Sequence, residues 1–334
     1  MPIFQFALTL ADLPSPPDGK TGFPWTEQSQ PLPDRLPDGS EYPRISIVTP
    51  SYNQGIFLEE TIRSVLLQGY PNLEYVIMDG GSDDHSVEII KKYEPFLDHW
   101  VSQPDKGQTN AINKGLSHIS GEIFTWLNSD DFYTPNVLAR ISNAFSKTKF
   151  SLCYGQCEFV DAEGNFLSSW PYVENLALPV VLEKNLVPQP SCFLNTQSIR
   201  ESGLLDERLQ YAFDYEYWVR LLLSGAKVTS IPIVLSKYRL HDLSKTQSSR
   251  HKFDIEMEQI HQEILEQNPT SGVRRAIAKC YARFANEHYY WHHDRARSMF
   301  YFHKMLKVDP LACELSVLKV YVKNLLNKKH YVKS

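Results

Sequence analysis

No apolar run in this chain approaches the ~20 residues that carry a helix across a bilayer, so an integral membrane protein is not expected. A basic excess is missing too. Lysine and arginine total 34 against 39 acids, a net charge of −5, whereas binding along a phosphate backbone needs a large basic surface; nucleic acid is excluded as the main partner. The mildly apolar start, residues 1–10, has no basic residue before Lys20 and does not read as a secretory signal. Cysteine is scarce. The five cysteines, an odd number, at 153, 157, 192, 280 and 313, suit a reducing cytoplasm rather than a disulfide framework. Cys153 and Cys157 would share one face of a strand, but no second pair with zinc spacing accompanies them, and they read as small buried hydrophobes. The G-x-G-x-x-G spacing is absent, which removes a dinucleotide fold.

What is present is the composition of a globular chain, 42% hydrophobic and 22% charged, with length for one full core and a further module. Nine of the 21 prolines fall in residues 1–43, interleaved with Gly, Ser and Asp, which predicts an extended arm without regular helix or sheet. Phe23, Pro24 and Trp25 are its candidate anchors. From Arg44 the pattern changes to strand 45–49, helix 57–68, strand 73–78, helix 87–93, strand 100–101, helix 109–119 and strand 122–127. Alternation at this length predicts a mostly parallel sheet with right-handed crossovers. Segments 152–160 and 165–170, joined by 161–164, read as a hairpin; 190–195 reads as a strand, 215–223 as a helix and 228–238 as β-rich. From about 253 the pattern is helical only. Ala276, Tyr281, Ala285 and Tyr289 recur as in one or two tetratricopeptide-like hairpins. The closing helix has five lysines from Lys319 on and no acid, which reads as a solvated face, with attraction to an anionic membrane surface as the alternative.

The β-prone run 123–127 ends in Asn128-Ser129-Asp130-Asp131. Open α/β sheets bind ligands at the C-terminal ends of their strands, and a divalent cation bridging to a phosphate relieves the repulsion of adjacent carboxylates. The alternative is a helix start capped by Ser129 or Asp130 ahead of a helix after Pro135. Two further strand-end loops, 49–53 and 79–84, should open on the same edge. Asp79 can accept from a base N–H or a ribose hydroxyl while Gly80 and Gly81 let a ligand approach; the alternative is a turn with a helix cap at Asp84 or Ser86. Lys106 and Gly107, ahead of a helix, offer a cation and free N–H groups to a diphosphate. Asn113, inside that helix, is suited to tie a neighbouring loop. Asp214 opens an aromatic-rich helix, either as its cap or as a general base beside a sugar. Arg239, His241 and Lys245 together suit a metal or a leaving diphosphate. His288 and His292, at helical spacing without a motif, read as helix packing.

Taken in order, residues 45–53, Asp79-Gly80-Gly81-Ser82, the block from Gly107 to Asn113-Lys114-Gly115, residues 127–131 and Asp214 resemble the family 2 glycosyltransferases of GT-A fold, over roughly residues 44–246. The resemblance implies an α/β GT-A domain, Rossmann-like with a mostly parallel central sheet, at 44–247. A Pro-rich N-terminal arm, 1–43, precedes it and a C-terminal α-helical extension, 248–334, follows. It implies a nucleotide-sugar pocket lined by Thr49, Pro50, Tyr52, Asn53, Asp79, Ser82, Lys106, Gly107, Asn128, Ser129 and Asp130, with Asp79 on the base. Asp214 would be the catalytic base, and Asp130, with Asp131 and His241, would hold Mg²⁺ or Mn²⁺. The implied reaction is inverting transfer from a nucleoside-diphosphate sugar to a hydroxyl of a glycan or lipid-linked acceptor, in cell-surface polysaccharide synthesis. Its expected place is the cytoplasm or the inner face of the membrane. Two residues depart from the family pattern: Asn128 stands at the first acid of D-x-D, and Gly80 stands where a second aspartate is common. A sugar nucleotidyltransferase would place basic residues in the loop after the first strand, and 49–55 has none. A non-catalytic adaptor working through the C-terminal helices is opposed by the intact Asp130, Asp214 and His241.

Overall fold

Ile45, Ile47 and Val48, all β-branched and fully buried, make β1 (Ile45–Ser51) the inner strand of a nine-stranded sheet. The computed structural model describes residues 6–147, 150–242, 244 and 250–327. In chain order the other strands are β2 (Leu73–Asp79), β3 (His99–Ser102), β4 (Ile123–Trp126), β5 (Phe132–Tyr133), β6 (Leu152–Val160), β7 (Phe166–Ser169), β8 (Cys192–Asn195) and β9 (Val228–Arg239). They are ordered β3-β2-β1-β4-β8-β6-β9-β5, with β7 paired on β6. The first four run parallel. β8 turns antiparallel to both β4 and β6, while β9 runs parallel to β6 and antiparallel to β5.

Register decides where the loops open. Ser51 pairs with Asp79 and Val48 with Trp126, so the chain leaves β1, β2 and β4 on one edge. Helices α1 (Gly55–Leu66), α2 (Ser86–Tyr93) and α3 (Gln108–Leu116) are the crossovers. α1 buries Leu58, Ile62, Val65 and Leu66, the stripe its periodicity predicts. α3 packs so closely that a Cβ on Gly115 would lie 2.5 Å from Val48 Cγ1. α4 (Val137–Lys147), α5 (Leu178–Glu183), α6 (Thr196–Ser202) and α7 (Phe213–Leu223) follow. The segment expected as a strand at 190–195 begins as a 3₁₀ turn, Gln189–Ser191, because Pro190 cannot donate to a ladder.

The chain divides into two compact units, Met1–Asn175 with Val187–Ser248, and Leu176–Leu186 with Ser249–Ser334. Two boundaries therefore differ from the expected ones: the arm is part of the first unit, and residues 176–186 leave it for the second. The described arm has no helix or strand, yet Leu8, Leu13 and Trp25 are buried. Its carbonyls converge on Arg63 of α1, itself fully buried. The guanidinium donates to Pro14 O (2.7 Å), Pro24 O (3.0 Å), Trp25 O (3.1 Å) and the Tyr93 hydroxyl (3.0 Å). Proline-rich backbone cannot satisfy its own carbonyls in a ladder, and the arginine does it instead.

The second unit holds α5 and helices α8 (Arg250–Gln267), α9 (Ser271–Tyr290), α10 (Arg295–Val308) and α11 (Leu315–Asn327). Thr270 and Asp294 cap α9 and α10. These two run antiparallel: Ser298 Oγ donates to Ala285 O (2.8 Å), Tyr301 stacks on Tyr281, and Arg275 pairs with Asp309. Ala276, Tyr281 and Ala285 are buried in this seam. His288 Nε2 lies 2.9 Å from Asp254 Oδ2 and its ring stacks on Tyr301.

Arg63→Ala should lower the unfolding free energy by about 3 kcal/mol, since three carbonyls, two of them buried, lose a charged donor. Urea denaturation checks this, and an unchanged midpoint would show that the arm is held by other contacts.

Candidate active site

The acidic loop after β4 is held from three sides. The Thr61 hydroxyl of α1 lies 3.0 Å from Ser129 O and 2.7 Å from Asp131 O. Asn128 Oδ1 accepts from Gln108 Nε2 (2.6 Å), while its Nδ2 faces Asp131 Oδ2 and Gln189 Oε1, each at 3.3 Å. Gln189 is fixed in turn by donating to Trp126 O (2.7 Å). A carboxylate at 128 would meet two oxygens where Asn128 presents an N–H, which accounts for the missing first acid.

Asp130 and His241 are brought together from 111 residues apart, with His241 Nε2 3.0 Å from Asp130 Oδ2. The ring packs on Phe57 (centroids 4.6 Å apart), and its buried Nδ1 has no hydrogen-bond partner among the described residues. Asp131 does not join them. It is buried and turned inward, its Oδ1 accepting from Arg239 N–H (2.9 Å) and its Oδ2 from Asn128 Nδ2 (3.3 Å). Burial and the neighbouring Asp130 push its carboxyl well above the usual carboxylate range.

Arg239 is not available to a diphosphate either. It is 1% exposed, with Nε donating to Asp130 O (2.9 Å), Nη1 to Ala162 O (2.5 Å) and Nη2 to Glu60 Oε2 (2.8 Å). Phe57 and Phe132 cover the guanidinium at 4.7 and 5.0 Å. Lys245 lies outside the described residues.

The 3.0 Å between His241 Nε2 and Asp130 Oδ2 is a hydrogen-bond distance. It is also compatible with a divalent cation, since two cis ligands on an octahedral ion at about 2.1 Å stand about 3.0 Å apart. A carboxylate and an imidazole suit Mg²⁺ or Mn²⁺ when diphosphate oxygens and water complete the shell. Among the described residues no group of three His, Cys, Asp or Glu side chains is placed to hold a metal unaided.

On the neighbouring loops, Asp79 is buried and already accepts from Gly81 N (3.1 Å), Ser82 N (2.9 Å), Ser82 Oγ (2.5 Å) and Ser102 Oγ (2.6 Å). Its carboxylate shapes the loop before it can meet a base. Asn53, at φ +53°, donates its N–H to Ser82 Oγ and accepts from Asp83 N–H. A Cβ on Gly80 would lie 3.1 Å from Asp105 Oδ2 and 3.3 Å from Tyr52. Asp105 thus crowds the place of the second family aspartate. Tyr52 is exposed, whereas Thr49 is buried with its hydroxyl 3.0 Å from that of Tyr75, and Pro50 and Ser129 are buried. A cleft of ≈ 320 Å³ lined by Asp79, Val101, Gln103, Asp105, Lys114 and His118 opens beside this loop.

The helix start at Gly107 is not the open anion cradle its sequence suggests. Asp105 Oδ1 takes the Gly107 N–H (2.7 Å), and at φ +109° a Cβ would collide with Gln210. Lys106 is exposed. The polar face of α3 serves another loop. Asn113 binds both Leu205 O (2.9 Å) and Leu205 N (3.1 Å), and Thr109 Oγ1 donates to Leu209 O (2.9 Å). That loop runs into α7, whose cap residue is Ala212, so Asp214 stands half-buried in the first turn rather than as the cap. Phe213 and Trp218 pack on Trp126 (6.3 and 5.7 Å), which brings α7 to the end of β4. Burial, then the charge of Asp214, raises the Cys192 thiol.

Gln108 and Thr61 were not legible as parts of this site, and Arg239 was read as a diphosphate partner rather than as an inward clamp. The only signal of the first two is polarity at positions where α1 and α3 turn inward.

A mostly parallel sheet with an acidic strand-end loop, a histidine just past β9 and an acid on a helix packed beside it is a GT-A-like arrangement. The fold agrees with solved structures. S. aureus TarS 1–349 in complex with UDP-GlcNAc superposes with a TM-score of 0.66 at 17% identity, over 85% of this chain and 89% of that one. The mannosyltransferase PcManGT from Pyrobaculum calidifontis, in complex with GDP-Man and Mn²⁺, gives 0.51 at 16% identity, over 86% and 88%. The family described as Glycosyl transferase family 2 matches residues 46–194. An uncharacterized glycosyltransferase of Rickettsia typhi is 30% identical over 224 residues, 64% of this chain and 69% of that protein. One from Rickettsia bellii is likewise 30% identical, over 212 residues, but the chain spans only 30% of its length. The chain belongs to glycosyltransferase family 2, and its role is glycosyl transfer.

Arg239→Lys should cost about 3 kcal/mol, because an ammonium cannot serve Asp130 O, Ala162 O and Glu60 together. Urea denaturation measures the loss, and a variant as stable as the parent would remove Arg239 as the clamp of this loop.

Proposed function

We propose that the chain moves a sugar from a nucleoside-diphosphate sugar to a hydroxyl of a glycan or lipid-linked acceptor, with inversion at the anomeric carbon. The observation that carries this reading is the Asp130–His241 pair, 3.0 Å apart at the end of β4, with α7 packed against Trp126 beside it. Asp214 takes the proton from the acceptor hydroxyl as its oxygen attacks the anomeric carbon from the face opposite the diphosphate. Asp130 and His241 would hold Mg²⁺ or Mn²⁺, which when bound would neutralise charge on the departing diphosphate. Asn128 keeps the loop's outward negative charge on Asp130 alone. Tyr52, Asn53, Asp79 and Ser82 frame the base end of the donor, and the exposed Lys106 adds a cation near it.

The ligands of the structural neighbours support the donor class, since TarS was solved with UDP-GlcNAc and the Pyrobaculum enzyme with GDP-Man and Mn²⁺. No helix among the described residues is long and apolar enough to cross a membrane. Cell-surface polysaccharide synthesis, in the cytoplasm or at the inner membrane face, is the setting this chemistry fits.

Calorimetry with UDP- and GDP-sugars, with and without Mn²⁺, tests the reading. Donor binding should strengthen with Mn²⁺ in the parent and lose that dependence in Asp130→Asn. Asp214→Asn should keep donor binding and lose about 10²–10⁴-fold in transfer rate. Full transfer by that variant excludes Asp214 as the base, and no nucleotide binding by the parent would favour an adaptor.

A further inference from the structure

Helix α11 is apolar on two sides. Val317, Val320 and Asn324 are buried against α9 and α10, where Asn324 Nδ2 donates to Ser298 Oγ (3.1 Å) and Tyr321 stacks on Phe302 (4.1 Å). The other side stands in solvent. Leu315, Leu318, Val322, Leu325 and Leu326, continued by Leu311 in the turn before, are 42–78% exposed. Their spacing of three and four puts them on one continuous stripe. Lys319 and Lys323 border that stripe, and Lys323 Nζ lies 5.7 Å from the ring of Tyr290, next to the exposed Trp291. Residues 315–334 hold five lysines and no acid in a chain of net charge −5.

We propose that this face docks on an anionic lipid bilayer, with α11 lying in the plane of the interface. The leucine and valine stripe enters the acyl boundary, the lysines meet lipid phosphates, and Tyr290 and Trp291 sit at headgroup level. A second copy of the chain is the competing occupant. A two-fold contact through the stripe would set Lys319 and Lys323 near their own counterparts with no acid on the helix to compensate, whereas an anionic surface neutralises both. The inference deepens the proposed function by locating the enzyme where a lipid-linked acceptor is found. Vesicle binding is measured without donor or acceptor, so it stands or fails separately from transfer.

The test is co-sedimentation of the full chain with extruded phosphatidylglycerol/phosphatidylethanolamine vesicles and with pure phosphatidylcholine vesicles. Binding is expected on the anionic vesicles, about tenfold weaker on phosphatidylcholine or in ~0.5 M NaCl. Val322→Asp with Leu325→Asp should weaken it by about tenfold or more at unchanged circular dichroism. Lys319→Gln with Lys323→Gln should weaken it about tenfold on anionic vesicles only. If the aspartate pair misfolds, the lysine pair carries the test alone. The proposal is overturned if the parent stays in the supernatant with anionic vesicles, or if the folded variants sediment like the parent. A dimer seen by light scattering that the aspartate pair dissociates, with no vesicle binding, would assign the face to a second copy.

Discussion

A buried guanidinium, Arg239, holds the last strand of the sheet to the acidic loop after β4, and the geometry of the site depends on it. Its side chain supports the Asp130 carbonyl and its backbone N–H the Asp131 carboxylate, while Glu60 balances its charge. Two residues further on, His241 reaches Asp130 because the strand is pinned at Arg239. Taking a cation out of water is costly unless every donor finds an acceptor. That requirement leaves the loop and the strand end one mutual position.

The polar shell around Asn128 follows the same logic. Gln108, Gln189 and Asp131 present one donor and two acceptors to a side chain that has both kinds, so an amide is satisfied there and a second carboxylate would be repelled. At Gly80 the constraint is steric, since Asp105 and Tyr52 crowd a Cβ. Both departures from the family pattern therefore belong to the packing of this chain. The first of them leaves the outward negative charge of the acidic loop on Asp130.

Other parts are positioned by side chains that contact no reacting group. Asn113 grips the backbone of Leu205 from both sides and so sets the loop that delivers α7 and Asp214. Arg63 gathers the carbonyls of the proline-rich arm onto α1, the helix whose Thr61 supports Ser129 and Asp131. The second unit is built by helical packing around Tyr281 and Tyr301 and leaves one apolar stripe of α11 outward.

Alternating strand and helix periods in residues 45–127, the hairpin at 152–170 and the helices after 250 were determined by the sequence itself, because local periodicity reports which face is buried. Motif order also singled out Asp130 and His241, which the fold brings within 3.0 Å of each other. Which of two adjacent acids faces outward was not legible. Asp130 and Asp131 are one residue apart, and it is Arg239, 108 residues away in sequence, that draws Asp131 inward. The inward turn of Arg239 and the capture of the arm by Arg63 were likewise decided only by tertiary structure. A buried charge goes where its partners are, and those partners are set by pairing between segments that share no local pattern.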